Sequence, residues 1–215
     1  MMYGMNTRLL GTGLAAFAAA LAFAASAVAV PGNLFGGGLV RAEVLIQAGG
    51  QHDYRVDRGR VTAFTPGSLT LRERDGTVVT VPVAAGAQPT LQRGVFVQTL
   101  RDGDAPASRV DVGAPARVAP FEITGPGLIR AELLLIVNGV SHDYRVDRGT
   151  VVSVAARTVI LAEPDGTTVS IPVAPSARIR LNGVRVPLRM LKRGFAAETI
   201  RDGGAPAQIV DASRR

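Results

Sequence analysis

Only two histidines stand in the chain, and each opens the same eight residues. His-Asp-Tyr-Arg-Val-Asp-Arg-Gly runs from His52 to Gly59 and again from His142 to Gly149. An imidazole beside a carboxylate is raw material for general acid–base catalysis and for transition-metal binding. Because His52-Asp53 and His142-Asp143 are duplicates, a metal site shared between the copies is one chemistry to weigh. Protein-held transition metals commonly take three or four protein ligands, however, and neither copy spaces a third. A Ser-His-Asp triad has as little to stand on. No Gly-x-Ser-x-Gly occurs, and Ser141, beside His142, is answered by Gln51 in the first copy. The chain has no cysteine, which excludes thiol nucleophiles, disulfides and Cys-ligated zinc. A metal-dependent or hydrolytic enzyme centred on the two His-Asp-Tyr-Arg segments is therefore the alternative reading. The main expectation is a protein with no catalytic constellation and no cofactor.

The element that must carry the octapeptide is a strand, and alternation sorts its residues onto two faces. His52, Tyr54, Val56 and Arg58 point one way, and Val56 sets that face toward a core. Asp53, Arg55 and Asp57 point the other way, as do Asp143, Arg145 and Asp147 in the second copy. This second set is expected to form a solvent-side charge row, paired across to Arg41 and Glu43 on the preceding strand. Gly59 is expected to permit a bulge. On this reading Tyr54 and Tyr144 pack, the charges ladder, and the motif is structural.

Around the octapeptide the whole chain is duplicated. Gly38-Leu-Val-Arg-Ala-Glu becomes Gly127-Leu-Ile-Arg-Ala-Glu, Asp75-Gly76-Thr77 answers to Asp165-Gly166-Thr167, and Arg101-Asp102-Gly103 answers to Arg201-Asp202-Gly203. The start reads as an export signal over residues 1–29. Arg8 supplies the positive charge, Leu9 to Ala25 is apolar or small, and Ala27-Val28-Ala29 gives a small-x-small cleavage site. A flexible Gly-rich segment follows at 30–38, then repeat one at 39–113, a Pro/Ala linker at 114–120 and repeat two at 121–212. Secretion or another extracytoplasmic location, at the cell envelope, is the expected destination, with membrane contact only through an uncleaved signal segment.

Within each repeat, short alternating runs separated by turn residues predict about seven strands. Arg41 to Gln47 alternates polar with apolar. Gly49-Gly50, Asn138-Gly139 and the four Asp-Gly pairs mark hairpin turns. No stretch keeps helical periodicity for three turns. The fold class expected is all-β, two tandem small antiparallel β-barrels or sandwiches, since closure removes exposed edges. From the octapeptide glycine onward each repeat resembles a family of small secreted bacterial β-barrel domains of unknown function. The resemblance rests on Gly59, Leu69-Thr70-Leu71, Asp75-Gly76, Val79 to Val83 and Gly94 to Val112. In repeat two it rests on Gly149, Val159-Ile160-Leu161, Asp165-Gly166, Val169 to Val173 and Gly194 to Val210. It implies a small barrel and no catalytic residues.

One segment breaks the duplication. Between Ala177 and Arg193 repeat two carries about ten extra residues, and Arg178, Arg180, Arg185, Arg189, Lys192 and Arg193 fall there without an acid. The whole chain carries a net charge of +7, while residues 30–113 hold nine basic and eight acidic side chains, so much of the excess lies in this segment. Asn182-Gly183 predicts a hairpin, with Ile179, Leu181, Val184 and Val186 on one side and Arg178, Arg180 and Arg185 on the other. Two readings compete for these cations: a solvated extension of the barrel, since charge runs usually face water, and binding residues for an anionic surface in an envelope-associated binding or structural module. The expected partners are an anionic cell-envelope polymer or another exported protein. Nucleic acid is not expected, because the insertion has no aromatic on which bases could stack.

Overall fold

The computed structural model describes residues 38–87, 89–113 and 127–214. The expected signal segment, the Gly-rich segment before Gly38 and the Pro/Ala linker lie outside them. The fold is all-β, and no α-helix occurs among the described residues. In the first half β1 is Leu39–Gln47, β2 Gln51–Thr65, β3 Ser68–Glu73, β4 Val78–Pro82, β5 Phe96–Asp102 and β6 Arg109–Val112. In the second half β7 is Leu128–Val137, β8 Val140–Ala155, β9 Thr158–Ala162, β10 Thr168–Leu181 and β11 Val184–Arg185. A 3-10 turn at Leu188–Met190 precedes β12, Ala196–Asp202, and β13, Ala207–Ser213.

The octapeptide and the run after it, expected as separate strands, are one long strand in each half. β2 pairs with β1 through Gln51–Asp57 and then, on the same edge, with β3 from Gly59 onward. Gly59 makes the change of partner possible. A Cβ there would lie 2.6 Å from the carbonyl oxygen of Arg72, closer than a side-chain carbon can approach. At Gly149 a Cβ would lie 2.5 Å from the oxygen of Ala162. The expected bulge is not at the glycine. The register shifts between Val61 and Ala63, and between Val151 and Ser153.

The pairings then close on themselves. β2, β3 and β4 run on to a parallel bridge between Val83 and Ala107, and β6 and β5 return to β2. Val61, Leu69, Leu71, Val81, Val97 and Ala107 fill this barrel. In the second half β8, β9, β10, β13 and β12 close likewise, around Val151, Val159, Leu161, Ile171, Ala197 and Val210. Closure here is a β10–β13 pairing that is parallel, where antiparallel pairing was expected throughout.

The two halves join through β1 and β7, which pair antiparallel with Glu43 opposite Glu132. Val44 faces Ala131 and Ala42 faces Leu133, so equivalent residues exchange places about the glutamate pair. One row of charge crosses six strands there: Arg101, Arg55, Glu43, Glu132, Arg145 and Arg201. The opposite face of the same strands carries Val44, Ile46, Val56, Leu133, Leu135 and Val146, a third core. Leu100 and Ile200 pack on it from strands at the two ends of that row, so the sheet curls around this core.

Candidate anion-binding face

The basic insertion lengthens β10 beyond the barrel and turns it back at Asn182-Gly183. Asn182 has φ 51° and Gly183 φ 81°, the left-handed pair that a two-residue hairpin of this kind requires. Ile179 and Leu181 are buried in the second barrel's core. Val184, expected beside them, is 66% exposed, because β11 lasts only two residues before the chain leaves for the 3-10 turn.

The six cations divide into two sets. Arg178 and Arg180 are half-buried and answer to an acid that sequence order hid. Arg180 stands opposite Asp211 on β13. Burial raises the Asp211 carboxyl, while Arg180 and Arg178 draw it back down. Arg185, Arg189, Lys192 and Arg193 are exposed, and no side-chain hydrogen bond or ion pair engages them among the described residues. Arg185 lies directly across from Arg180, a like-charged cross-strand pair of the kind that destabilises a sheet. Asp211 acts electrostatically on Arg180 and Arg178, and no acid is paired with Arg185 among the described residues.

Beside this set a groove of about 650 Å³ opens at the mouth of the second barrel. Val173, Ala177, Ile179, Val186 and Leu188 floor it, Arg157, Arg185 and Arg189 rim it, and no acid lines it. Arg157 was not picked out in sequence. Its only signal was its position in the β8–β9 turn, where the first half has Gly67.

The octapeptides lie elsewhere. Val56 is buried, Tyr54 packs on the shared core, and Arg58 is among the most deeply buried side chains at 1% exposure. Arg58 Nε donates to Gln98 Oε1 at 2.6 Å, and burial lowers its pKa to about 10. In the second half Arg148 donates to Glu198 through Nε at 3.1 Å and Nη2 at 2.7 Å. The other face is not simply a solvent row. Asp53 and Arg55 pair at 3.0 Å, and Arg145 reaches Asp143 and Glu132, all near the surface. Asp57 and Asp147 are instead buried, 3.7 Å from Arg101 and 3.4 Å from Arg201. Glu73 at the end of β3 and Glu163 just after β9 act on them electrostatically, which a strand-by-strand reading cannot show.

Two further carboxylates join them, Glu73 and Glu163, with side chains wholly withdrawn from solvent. Arg41 lies 3.3 Å from Glu73, and Arg130 3.1 Å from Glu163. Burial pushes both glutamates up to about 7, against the pull of the arginine and with a further push from neighbouring aspartates. The repeated Glu-x-Asp-Gly at Glu73 and Glu163 was a visible signal for this pair of nodes.

Each histidine has a defined task. His52 Nδ1 lies 2.6 Å from Asp102 Oδ2, and the other oxygen accepts from the Asp53 backbone N–H at 3.0 Å. His142 and Asp202 repeat this at 2.7 Å, with the Asp143 N–H at 3.0 Å. The rings stack on Tyr54 and Tyr144 with centroids 5.5 Å apart in both halves. The geometry is the orienting half of an acid–base dyad. What it fastens is the Asp-Gly turn after β5 or β12 to the start of the octapeptide, where Gly103 and Gly203 also donate to the Asp53 and Asp143 carbonyls. The two histidines do not converge. His52 aligns through Ile46 with Leu128 of β7, and His142 with Leu135. Seven residues of strand separate those levels, roughly 23 Å at 3.3 Å per residue. One ion cannot be shared across that distance. Among the described residues no group of three or more His, Asp or Glu is placed to hold a metal.

The fold and the site define an all-β, β-barrel protein with a cationic groove. The chain matches no family model, no curated protein and no solved structure. The resemblance to small secreted β-barrel domains therefore rests on its turn and core positions alone. No helix among the described residues is long and apolar enough to cross a membrane.

Proposed function

We propose that this is an exported, non-enzymatic binding module that holds an anionic cell-envelope polymer on the basic face of its second half. One observation carries the reading: Arg185, Arg189, Lys192 and Arg193 are exposed and unpaired among the described residues, and Arg185 and Arg189 lie on a segment the first half lacks. Several arginines elsewhere are held in internal ion pairs, as Arg55, Arg101, Arg130 and Arg145 are. Cations kept free on one face attract a polyanion, and the attraction weakens as salt screens it. The apolar run at residues 9–25 supports export by its composition. The octapeptides flank the strands that join the halves, and they fix the turns. The test is cosedimentation with isolated envelope at low and high salt. Salt-sensitive pelleting that Lys192→Glu/Arg193→Glu abolishes supports the reading, and pelleting indifferent to both overturns it.

A further inference from the structure

The groove at the mouth of the second barrel has features that a polyanion does not use. Its floor is aliphatic and continuous with the barrel core, since Ile179 belongs to that core and Ala177, Val186 and Leu188 pack on it. Open apolar surface beside charge marks a site for something equally amphipathic. Val184 and Met190, next in sequence to the rim residues Arg185 and Arg189, are exposed apolar side chains on the same insertion. The guanidinium groups of Arg157, Arg185 and Arg189 at the rim have the fork geometry that suits phosphate.

The backbone of the groove wall is unusual as well. Ala156 has φ 48°, and it is the one described residue other than glycine and asparagine with a left-handed backbone. Alanine disfavours that conformation. In the first half the same turn is Pro66-Gly67, with the left-handed angle at Gly67 (φ 82°). The two turns are equivalent, because Val83 N–H donates to the Gly67 carbonyl and Val173 N–H to that of Arg157. The second half thus holds a disfavoured alanine and places an arginine, where the first half has glycine, beside the groove. β11 and the 3-10 turn complete the wall, and neither has a counterpart in the first half.

We propose that this groove binds an anionic amphiphile from membrane lipid, a single acyl chain bearing a phosphate head. The chain lies on Val173, Ile179, Val186 and Leu188, and the phosphate meets Arg157 and Arg189. This site shares the basic face invoked above but not its ligand or its outermost cations, since Lys192 and Arg193 do not line it.

The test is calorimetric titration of the full chain with lauroyl lysophosphatidylglycerol below its critical micelle concentration. Saturable binding is expected. Arg157→Gly, which installs the first half's residue, weakens it at least about tenfold, the loss expected for one charge-assisted contact. Ala177→Phe, which fills the groove, abolishes it. Lauroyl lysophosphatidylcholine and glycerophosphoglycerol, lacking the net charge and the chain respectively, each bind at least about tenfold more weakly. Lys192→Glu/Arg193→Glu loses envelope pelleting yet retains the amphiphile, so each reading can fail alone. Should Ala177→Phe not fold, Arg157→Gly decides. Absence of saturable binding, an unchanged affinity in Arg157→Gly, or glycerophosphoglycerol binding as tightly as the whole amphiphile overturns the proposal.

Discussion

Arg41 Nη1 lies 3.3 Å from the carboxylate of Glu73, a side chain with no exposure at all. The arginine stands on the strand that joins the two halves and the glutamate on the first barrel, and Arg130 and Glu163 repeat the arrangement at 3.1 Å. Neither glutamate oxygen accepts a hydrogen bond in either half, so only the charge of nearby arginines, Arg41 for Glu73 and Arg130 with Arg201 for Glu163, opposes the cost of burial.

A pH dependence follows from these two glutamates. Their carboxyls are pushed from 4.5 up to about 7 in the fold. A group whose pKa is raised by folding contributes stability fully below its unfolded value and loses it as pH climbs through the folded one. Stability should therefore fall between pH 4.5 and about 7 and level off above. The fall is of the order of 3 kcal/mol per glutamate at most. Asp102, held below the usual carboxylate range by the His52 bond, works the other way only in stronger acid. Urea midpoints across this range should decline, and Glu73→Gln/Glu163→Gln should flatten the decline by raising stability on the alkaline side. A wild-type profile flat from pH 5 to 8 would sink the prediction.

The octapeptide glycines should tolerate no side chain. With the Arg72 oxygen 2.6 Å from a Cβ on Gly59, and the Ala162 oxygen 2.5 Å from one on Gly149, the contact is with backbone on both sides. Gly59→Ala and Gly149→Ala should each cost at least about 2 kcal/mol in denaturant unfolding, as overpacking against an immobile partner does. Gly76, with open space around it, tests a different term: alanine there should lose only what its φ of 90° demands.

The histidines should matter to stability and not to binding. His52→Ala and His142→Ala each remove one partly exposed bond to a carboxylate, worth about 1 kcal/mol, or a Tm lower by roughly 2–4 °C for a chain of this size. Envelope pelleting of the double variant should match wild type at temperatures where it is folded. Loss of pelleting from a folded double variant, or a metal found bound to the wild type by elemental analysis and lost from the variant, would restore the octapeptide as a working site.

Much of this architecture is written in local patterns. Alternation marks β1 through Val44 and Ile46, Asn182-Gly183 marks the hairpin, and Asp-Gly marks the turns, because each depends on neighbours in sequence. The faces of the octapeptide were legible for the same reason, and Val56 and Tyr54 point to the core. What sequence order hid is every long-range approach. Nothing local says that Glu73 will come to act on Asp57, that Glu43 will oppose Glu132 across the halves, or that Asp211 will arrive beside Arg180 in a parallel pairing. The histidines were visible, but their reason was not, since Asp102 lies fifty residues from His52 in the chain. Arg157 escaped attention because one arginine in a turn carries no signal until the insertion folds back beside it.

The central claim is that the free cations of the second half hold an anionic envelope polymer. Its most direct measurement is cosedimentation of purified wild type and Lys192→Glu/Arg193→Glu with isolated envelope, across a salt series. Wild type should pellet at low salt and be released as salt rises, by analogy with other contacts made through exposed charge. The charge-reversed variant should stay in the supernatant at every salt concentration while keeping the wild-type unfolding midpoint. A variant that pellets like wild type would contradict the account.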